Sequence, residues 1–490
     1  MKKRIGVVAV LMLMVMAAIA TGCSKDQPNG TNGDSTSSNN ASKPSPTEES
    51  ASNDAESNVP VDQIKITMNL KPDDGAVQEY KDMISGKFAT FNEKYAEYEA
   101  TATFYNYSPE TFIPRIEAKK VDTMTYMWAT ETKPLAARGL LKPLDSYLDQ
   151  VPELKEALNM EIVGQISRGD DGQIYSIPLD GYTQLLLYNR ERFADVGLDP
   201  EKPPTNWDEL TDYAKKLTDP DANRFGLQIN GADGEAAWKF QNYVFQAGGE
   251  MESLVDGKWQ ATFNSDAGVA ALEFMKDLKW THGVAHPNVL TNQDESMRLL
   301  ATGEAAMVLG DGWVVHQAVN QYGAQPSNIG IGLLPAGPQG QVGWQMGGSI
   351  AAFPNYASDE EVIAGLKFLY EYYFNIDKET VENEYLARVK GREIVGVPKV
   401  QVFSTNSDAA QMIKEAEQKY AVLPQTNIKF DPYVELAPGL MPEPPQEAQL
   451  LYKRLSVAIQ TILTDKNADP KSELDQAAAE VNAILEKNVN

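Results

Sequence analysis

The stretch GQIYSIPLDGYTQLLLYNRERFADVGLDPEKPPTNWDEL, residues 172–210, decides the fold. It begins with two strand-like pieces rich in aliphatic and aromatic residues, joined at Asp180-Gly181. The period then changes. After Pro203-Pro204, Asn206 and Glu209 make a capping-box-like helix start. Leu210, Tyr213, Ala214 and Leu217 follow at helical spacing and predict a buried stripe. Strands and helices therefore alternate here, and the question is whether the rest of the chain does the same.

Upstream it does. Ile64, Ile66, Met68 and Leu70 alternate as a strand, and Val77, Tyr80, Ile84, Phe88, Phe91 and Tyr95 fall at helical spacing. Tyr98, Ala100, Ala102 and Phe104 alternate again, a short helix is expected near 110–119, and VDTMTYMW (121–128) reads as a third strand. This β-α-β-α-β run predicts a parallel sheet with covering helices, with ligands beyond the carboxyl ends of the strands. The strand-end loops are 71–75, 105–109 and 128–133. Downstream, helices are expected at 235–247, 265–282, 294–302, 358–373, 408–418, 445–464 and 470–487. AAMVLGDGW (305–313) and GGSIAAFP (347–354) read as strands beside glycine turns.

The first 60 residues are of another kind. Lys2, Lys3 and Arg4 precede an apolar run from Ile5 to Ala20, and Thr21-Gly22-Cys23 closes it with small residues. This is the layout of a secretory signal peptide, and the run is marginal for a membrane span. Cys23 is the one cysteine of the chain, so no internal disulfide is possible. The small-small-Cys junction resembles the lipobox of bacterial lipoproteins, with Ala20 where Leu is usual; the resemblance implies lipidation of Cys23. An uncleaved anchor with an incidental cysteine is the competing reading. Residues 24–60 have no aromatic side chain and almost no aliphatic one, so they cannot offset their ordering entropy. The expectation is a signal peptide at 1–22 and a lipid-anchored disordered tether at 23–60, with a flexible reach on the order of 35 Å. That layout suits the outer face of a cell membrane, in the style of a Gram-positive bacterium.

Residues 61–490 are long enough for two or three domains. The formal charge is −26, and loss of Lys2, Lys3 and Arg4 with the leader takes it to −29. Such acidity argues against nucleic acid and anionic lipid as partners and favours neutral or cationic ligands.

The opening stretch is also the central signature of a family. It resembles the extracytoplasmic solute-binding proteins of carbohydrate ABC importers, the family 1, maltose-binding-protein-like group. RGLLKPLDSYL (138–148), FNSDAGVAALEFMKDL (263–278), LLATGEAAMVLGDGWVV (299–315) and GGSIAAFPNYASDEEVIAGLKFLYEY (347–372) resemble the same family in the same order. The resemblance implies an α/β fold of two interleaved lobes joined by crossing strands, with the ligand cleft between them. It implies a first lobe of 61–180 plus 308–350 and a second of 185–303 plus 355–490. Crossings are expected near Asp180-Gly181, Ala305–Met307 and Gly347–Ser349. It also implies a monomer that binds a carbohydrate, needs no cofactor and works with ABC permease subunits.

A sugar cleft needs flat aromatic faces against C–H-rich sugar faces, and carboxylates or amides for the hydroxyls. Trp128 and Glu131 stand at the third strand end, where the family often places an aromatic and a carboxylate; packing under the loop is the competing reading. Asp311 and Trp313 end another strand, and an aromatic there commonly stacks on sugar in the family. Asp180 and Tyr182 face the cleft if the lobe plan holds, or serve only as hinge hydrogen-bonding groups. Trp344 is a cleft or a packing residue. Asp73 and Asp74 are ligand groups or a solvated acidic loop. Trp238 reads as core, although the loop 230–235 before it matches a ligand-contacting loop. Trp207, Trp259 and Trp280 read as structural. MPEPPQEAQLLYKRL (441–455) lacks an aromatic before Tyr452, which departs from maltose-type relatives.

Asp219, Asp221 and Asn223 are spaced like the start of an EF-hand loop, but Arg224 stands where Gly is required and Asn230 where Glu is. An Asx turn is the better reading, and no metal is expected. The three histidines, His282, His286 and His316, form no H-E-x-x-H, and neither a G-x-S-x-G nor a phosphate-binding loop occurs. The expectation is a binding protein, not an enzyme. A polyamine or other small solute is the alternative ligand. A surface glycan hydrolase is the alternative class, since 69 acidic residues always contain a pair.

Overall fold

The structure, a computed structural model, describes residues 63–489 apart from 73–77, 106, 233, 391–394, 396–399, 405–406 and 422–438. Cys23, the leader, the tether, Asp73 and Asp74 lie outside the described residues, as does the side chain of Trp313.

The first lobe grows from β1 (Ile64–Met68) and β2 (Tyr98–Ala102), which pair in parallel, with Ile66 opposite Ala100. β3 (Thr125–Trp128) joins them through a parallel bridge between Met68 and Met124. β4 (Ser176–Thr183) then leads into β5 (Leu185–Asn189), which belongs to the second lobe. There β6 (Phe225–Leu227) follows, with the hairpin of β7 (Glu252–Val255) and β8 (Lys258–Ala261). β9 (Ala305–Gly310) and β10 (Ile329–Gly332) complete a sheet of order β10-β5-β9-β6. β11 (Trp344–Ala352) returns to the first lobe and pairs antiparallel with both β3 and β4, and β12 (Leu440–Pro442) adds to its start in parallel.

This topology corrects the expected lobe boundaries. Residues 308–350 do not form a first-lobe block, and no crossing occurs at Ala305–Met307. β9 is hydrogen-bonded to β5 and β6, and β10 to β5, all in the second sheet. The helix Gln293–Thr302 ends at Gly303 in the left-handed region and feeds β9 at once, which keeps it beside β6. Nor does the chain from 355 onward enter the second lobe directly. The helix Asp359–Leu369 packs with β1 and the first-lobe helices, and Val362, Leu366 and Phe368 share a core with Ile66 and Phe88. Among the described residues, the helices Ala448–Thr464 and Pro470–Asn488 return to the second lobe, where Leu451, Ile459 and Val481 join Phe240 and Leu272.

The helix starts follow local chemistry. Asn206 accepts from the Glu209 N–H at 2.9 Å, while Glu209 reaches back to the N–H of Thr205 at 2.8 Å, one residue further than a standard box. Ser358 and Glu361 form the reciprocal box. The Asp219 loop is a capped turn: Asp219 accepts from Ala222 N, and Asn223 sits at φ 54°.

Candidate ligand cleft

The register of β11 builds the site. Ser349 is opposite Trp128 on one side and Asp180 on the other, and Gly347 is opposite Tyr182. Residues opposite one another in a sheet share a face, so Trp128, Ser349, Asp180 and Tyr182 stand on one face. Neighbouring strands lie about 4.8 Å apart, which puts the Trp128 and Asp180 backbones about 10 Å from each other. A bulge at Leu179 shifts the register, with Ser349 opposite Asp180 but Ile350 opposite Pro178. Without it Asp180 would turn to the opposite face.

On this face Asp180 accepts a hydrogen bond from the Ser349 N–H at 2.9 Å, and the Ser349 hydroxyl meets that of Tyr126. Trp128 is 39% exposed, with its ring edge-on to Tyr107 at 5.2 Å. Glu131, three residues on, is buried beside Tyr107. Burial pushes its carboxyl up to about 7, against the hydrogen bond that Thr130 donates to it at 3.2 Å. A cavity of about 520 Å³ opens at the carboxyl ends of β1 and β2, between Lys71, Phe104, Tyr105, Tyr126, Asp180 and Tyr373. Tyrosine and phenylalanine rings line it together with aliphatic residues and the charged Lys71, Lys87, Glu384 and Arg388, so it offers both flat apolar faces and polar groups.

The second lobe meets the same face through Tyr182. Its ring lies edge-on to Trp238 at 5.9 Å. Its hydroxyl donates to Glu443 Oε2 at 3.4 Å. Glu443 Oε1 accepts from Tyr452 at 3.0 Å and from Gln345 Nε2 at 3.3 Å. Burial drives Glu443 up to about 7, opposed by these same donors. Burial together with Glu443, Asp311 and Asp180 keeps the Tyr182 hydroxyl protonated far above the ordinary range. Lys239, next to Trp238, is buried and donates to the Leu309 carbonyl at 2.5 Å. Burial lowers it to about 8, while Asp311 and Glu235 favour its charge. Asp311 is itself buried and accepts from the Val314 N–H at 3.3 Å.

Of the sequence candidates, the structure brings Trp128, Asp180 and Tyr182 to one face, with Glu131 and Asp311 beside it. It does not bring Trp344. That residue alternates to the other face and packs into the apolar clusters of both lobes, its ring close against Gly439. Sequence reasoning missed Glu443, Tyr452, Gln345 and Lys239, and Trp238, read as core, packs against the second-lobe core while also meeting Tyr182. The loop 230–235 was the available signal for Trp238; Glu443 had none, since it reaches Tyr182 only through the last crossing of the chain.

The profile of the bacterial extracellular solute-binding protein family matches residues 78–372. The chain belongs to that family. A binding protein of Brucella abortus (strain 2308) is 24% identical over 355 residues, 71% of this chain and 76% of that one. The sn-glycerol-3-phosphate-binding periplasmic protein UgpB of Escherichia coli (strain K12) is 24% identical over 259 residues, 50% and 56% of the two chains. Among solved structures, the cyclic alpha-maltosyl-1,6-maltose binding protein of Arthrobacter globiformis superposes with a TM-score of 0.67 at 20% identity, covering 87% of this chain and all of that one. UgpB of Mycobacterium tuberculosis in complex with glycerophosphocholine gives 0.65 at 16% identity, covering 87% and 99%. These likenesses fix the two-lobed α/β fold. As a member of this family the protein is an extracellular solute-binding protein and not an enzyme.

Proposed function

We propose that the protein captures a mono- or oligosaccharide between its lobes and delivers it to an ABC permease. One observation carries this reading: the β11 register puts an exposed tryptophan and a carboxylate on either side of Ser349, facing the second lobe across Tyr182. Trp128 offers a flat apolar face to a sugar ring, and Asp180 accepts its hydroxyls. Asp180, Asp311 and Glu443 crowd around Tyr182, which favours neutral ligands and disfavours phosphate esters. Asp73, Asp74 and Trp313 extend the same site in this reading. Contacts from both lobes would favour the closed arrangement, because a ligand shifts lobe closure only through its differential affinity for that state.

The reading includes a lipid on Cys23, which holds the body outside the membrane on the tether, and a monomeric working state. The acidic surface also favours a polyamine, which would use the same carboxylates.

A thermal-shift screen of residues 61–490 separates these ligands. The panel is mono- and oligosaccharides, a polyamine and a glycerophosphate. Ligand at about 100 times Kd adds about 2.7 kcal/mol of stability. A shift with one sugar class supports the assignment. A shift confined to the polyamine or the glycerophosphate overturns the sugar and keeps the fold.

A further inference from the structure

A second cavity, of about 360 Å³, lies between the lobes on the other face of the crossing sheet. Ile166 and Lys133 wall it from the first lobe, Phe245, Met251 and Trp259 from the second, and Met346 from β11. Met346 alternates with Gly347 and packs in one apolar cluster with Met127 and Ile350. Asp180 and Tyr182 register on the opposite face, so the sheet lies between this cavity and the cleft described above, and Glu443 is the residue common to both.

The cavity is apolar, yet its charged groups are mostly acidic. Glu250, Glu252 and Glu443 border it, against the one cation Lys133 among the described lining residues. Lys133 is already engaged: it pairs with Asp170 at 3.3 Å and lies 5.3 Å from the centre of the Trp259 ring. Glu252 is 7% exposed. Its Oε2 accepts from the Gln446 N–H at 3.1 Å, and its Oε1 has no hydrogen-bond partner. A buried carboxyl oxygen left without a donor is a costly arrangement beside an apolar void.

We propose that this cavity is a second ligand site, for a small organic amine whose ammonium pairs with Glu252 and whose apolar body lies against Phe245, Met251 and Met346. The volume falls in the range of small-molecule sites. The ammonium supplies the donor that Glu252 lacks, and a paired charge is tolerated where a lone one is not. Burial holds the Glu252 proton up to about 8, so near neutral pH an entering ammonium pairs with the carboxylate as the carboxyl proton leaves to solvent, whereas a neutral amine takes that proton itself. Both lobes wall the cavity, so an occupant touches each of them. Binding here therefore couples to lobe closure, and the coupling is reciprocal: the amine changes affinity in the cleft by the factor that the cleft ligand changes affinity for the amine.

Three probes of one shape test this. Benzylamine, benzyl alcohol and benzoate are titrated into residues 61–490, a compact unit of its own, carrying methionines labelled at the ε-methyl carbon. Benzylamine is expected to shift the Met251 and Met346 signals saturably. Benzyl alcohol should bind at least tenfold more weakly, and benzoate should give no shift. Glu252→Gln should abolish the preference for the amine. The proposal is overturned if no probe saturates, if the three bind alike, if only methyls outside the cavity respond, or if Glu252→Gln keeps the preference. The three-probe comparison in the unsubstituted protein stands even where the variant fails to fold.

Discussion

Gly347 has no side chain, and Tyr182 occupies the space. A Cβ at position 347 would lie 2.2 Å from the Tyr182 ring, a contact that neither strand can relieve without moving. Gly347→Ala should displace Tyr182, break its bond to Glu443 and cost on the order of 1–3 kcal/mol in urea unfolding. Glu131 and Glu443 make a pH prediction. Both carry pKa values raised to about 7, so the folded protein keeps protons that the unfolded chain releases above about pH 4.5. Stability therefore falls as pH rises from about 4.5 to about 7, by up to about 3 kcal/mol for each group. Lys239 acts in the other direction at higher pH: its pKa is lowered to about 8, so stability rises from about pH 8 to about pH 10.5. Glu443→Gln should flatten the loss between pH 5 and pH 7.5, as read by the denaturation midpoint at each pH. An unchanged slope would mean that Glu443 does not hold its proton.

At the scale of elements, the strands, helices and caps were legible because their signals are local. The helix expected at 358–373 begins at that point, through a complete box of Ser358 and Glu361. Ser358→Ala should cost about 1 kcal/mol by thermal unfolding. The pairing of strands was less legible. AAMVLG is buried at every position, so its sequence shows a strand without showing which sheet receives it. The site split along the same line. Trp128 stands at a strand end, and Asp180 and Tyr182 flank Gly181 near the end of β4, where sequence marks them. Glu443 and Tyr452 reach the site from more than 250 residues beyond Tyr182, and no spacing rule connects them. Trp344 stayed open between cleft and packing because strand alternation fixes its face only once the register with Asp180 is known.

The whole molecule is two lobes joined where β4 runs into β5, where the second sheet gives way to β11, and beyond β12. The proposed ligand surface lies on one face of that junction, and in that reading affinity and lobe closure are a single equilibrium. The proposed lipid anchoring is separate from it. Cys23→Ala should release the protein from membranes and leave ligand binding by residues 61–490 untouched, as fractionation and calorimetry together would show. The most direct measurement is a calorimetric titration of the sugar panel into residues 61–490, repeated with Trp128→Ala and Asp180→Asn. The expected result is one sugar class binding at one site per chain, weakened at least tenfold by either substitution. A sugar that binds equally well to both variants, or a glycerophosphate or polyamine binding in place of every sugar, would contradict the placement of the sugar on the crossing sheet.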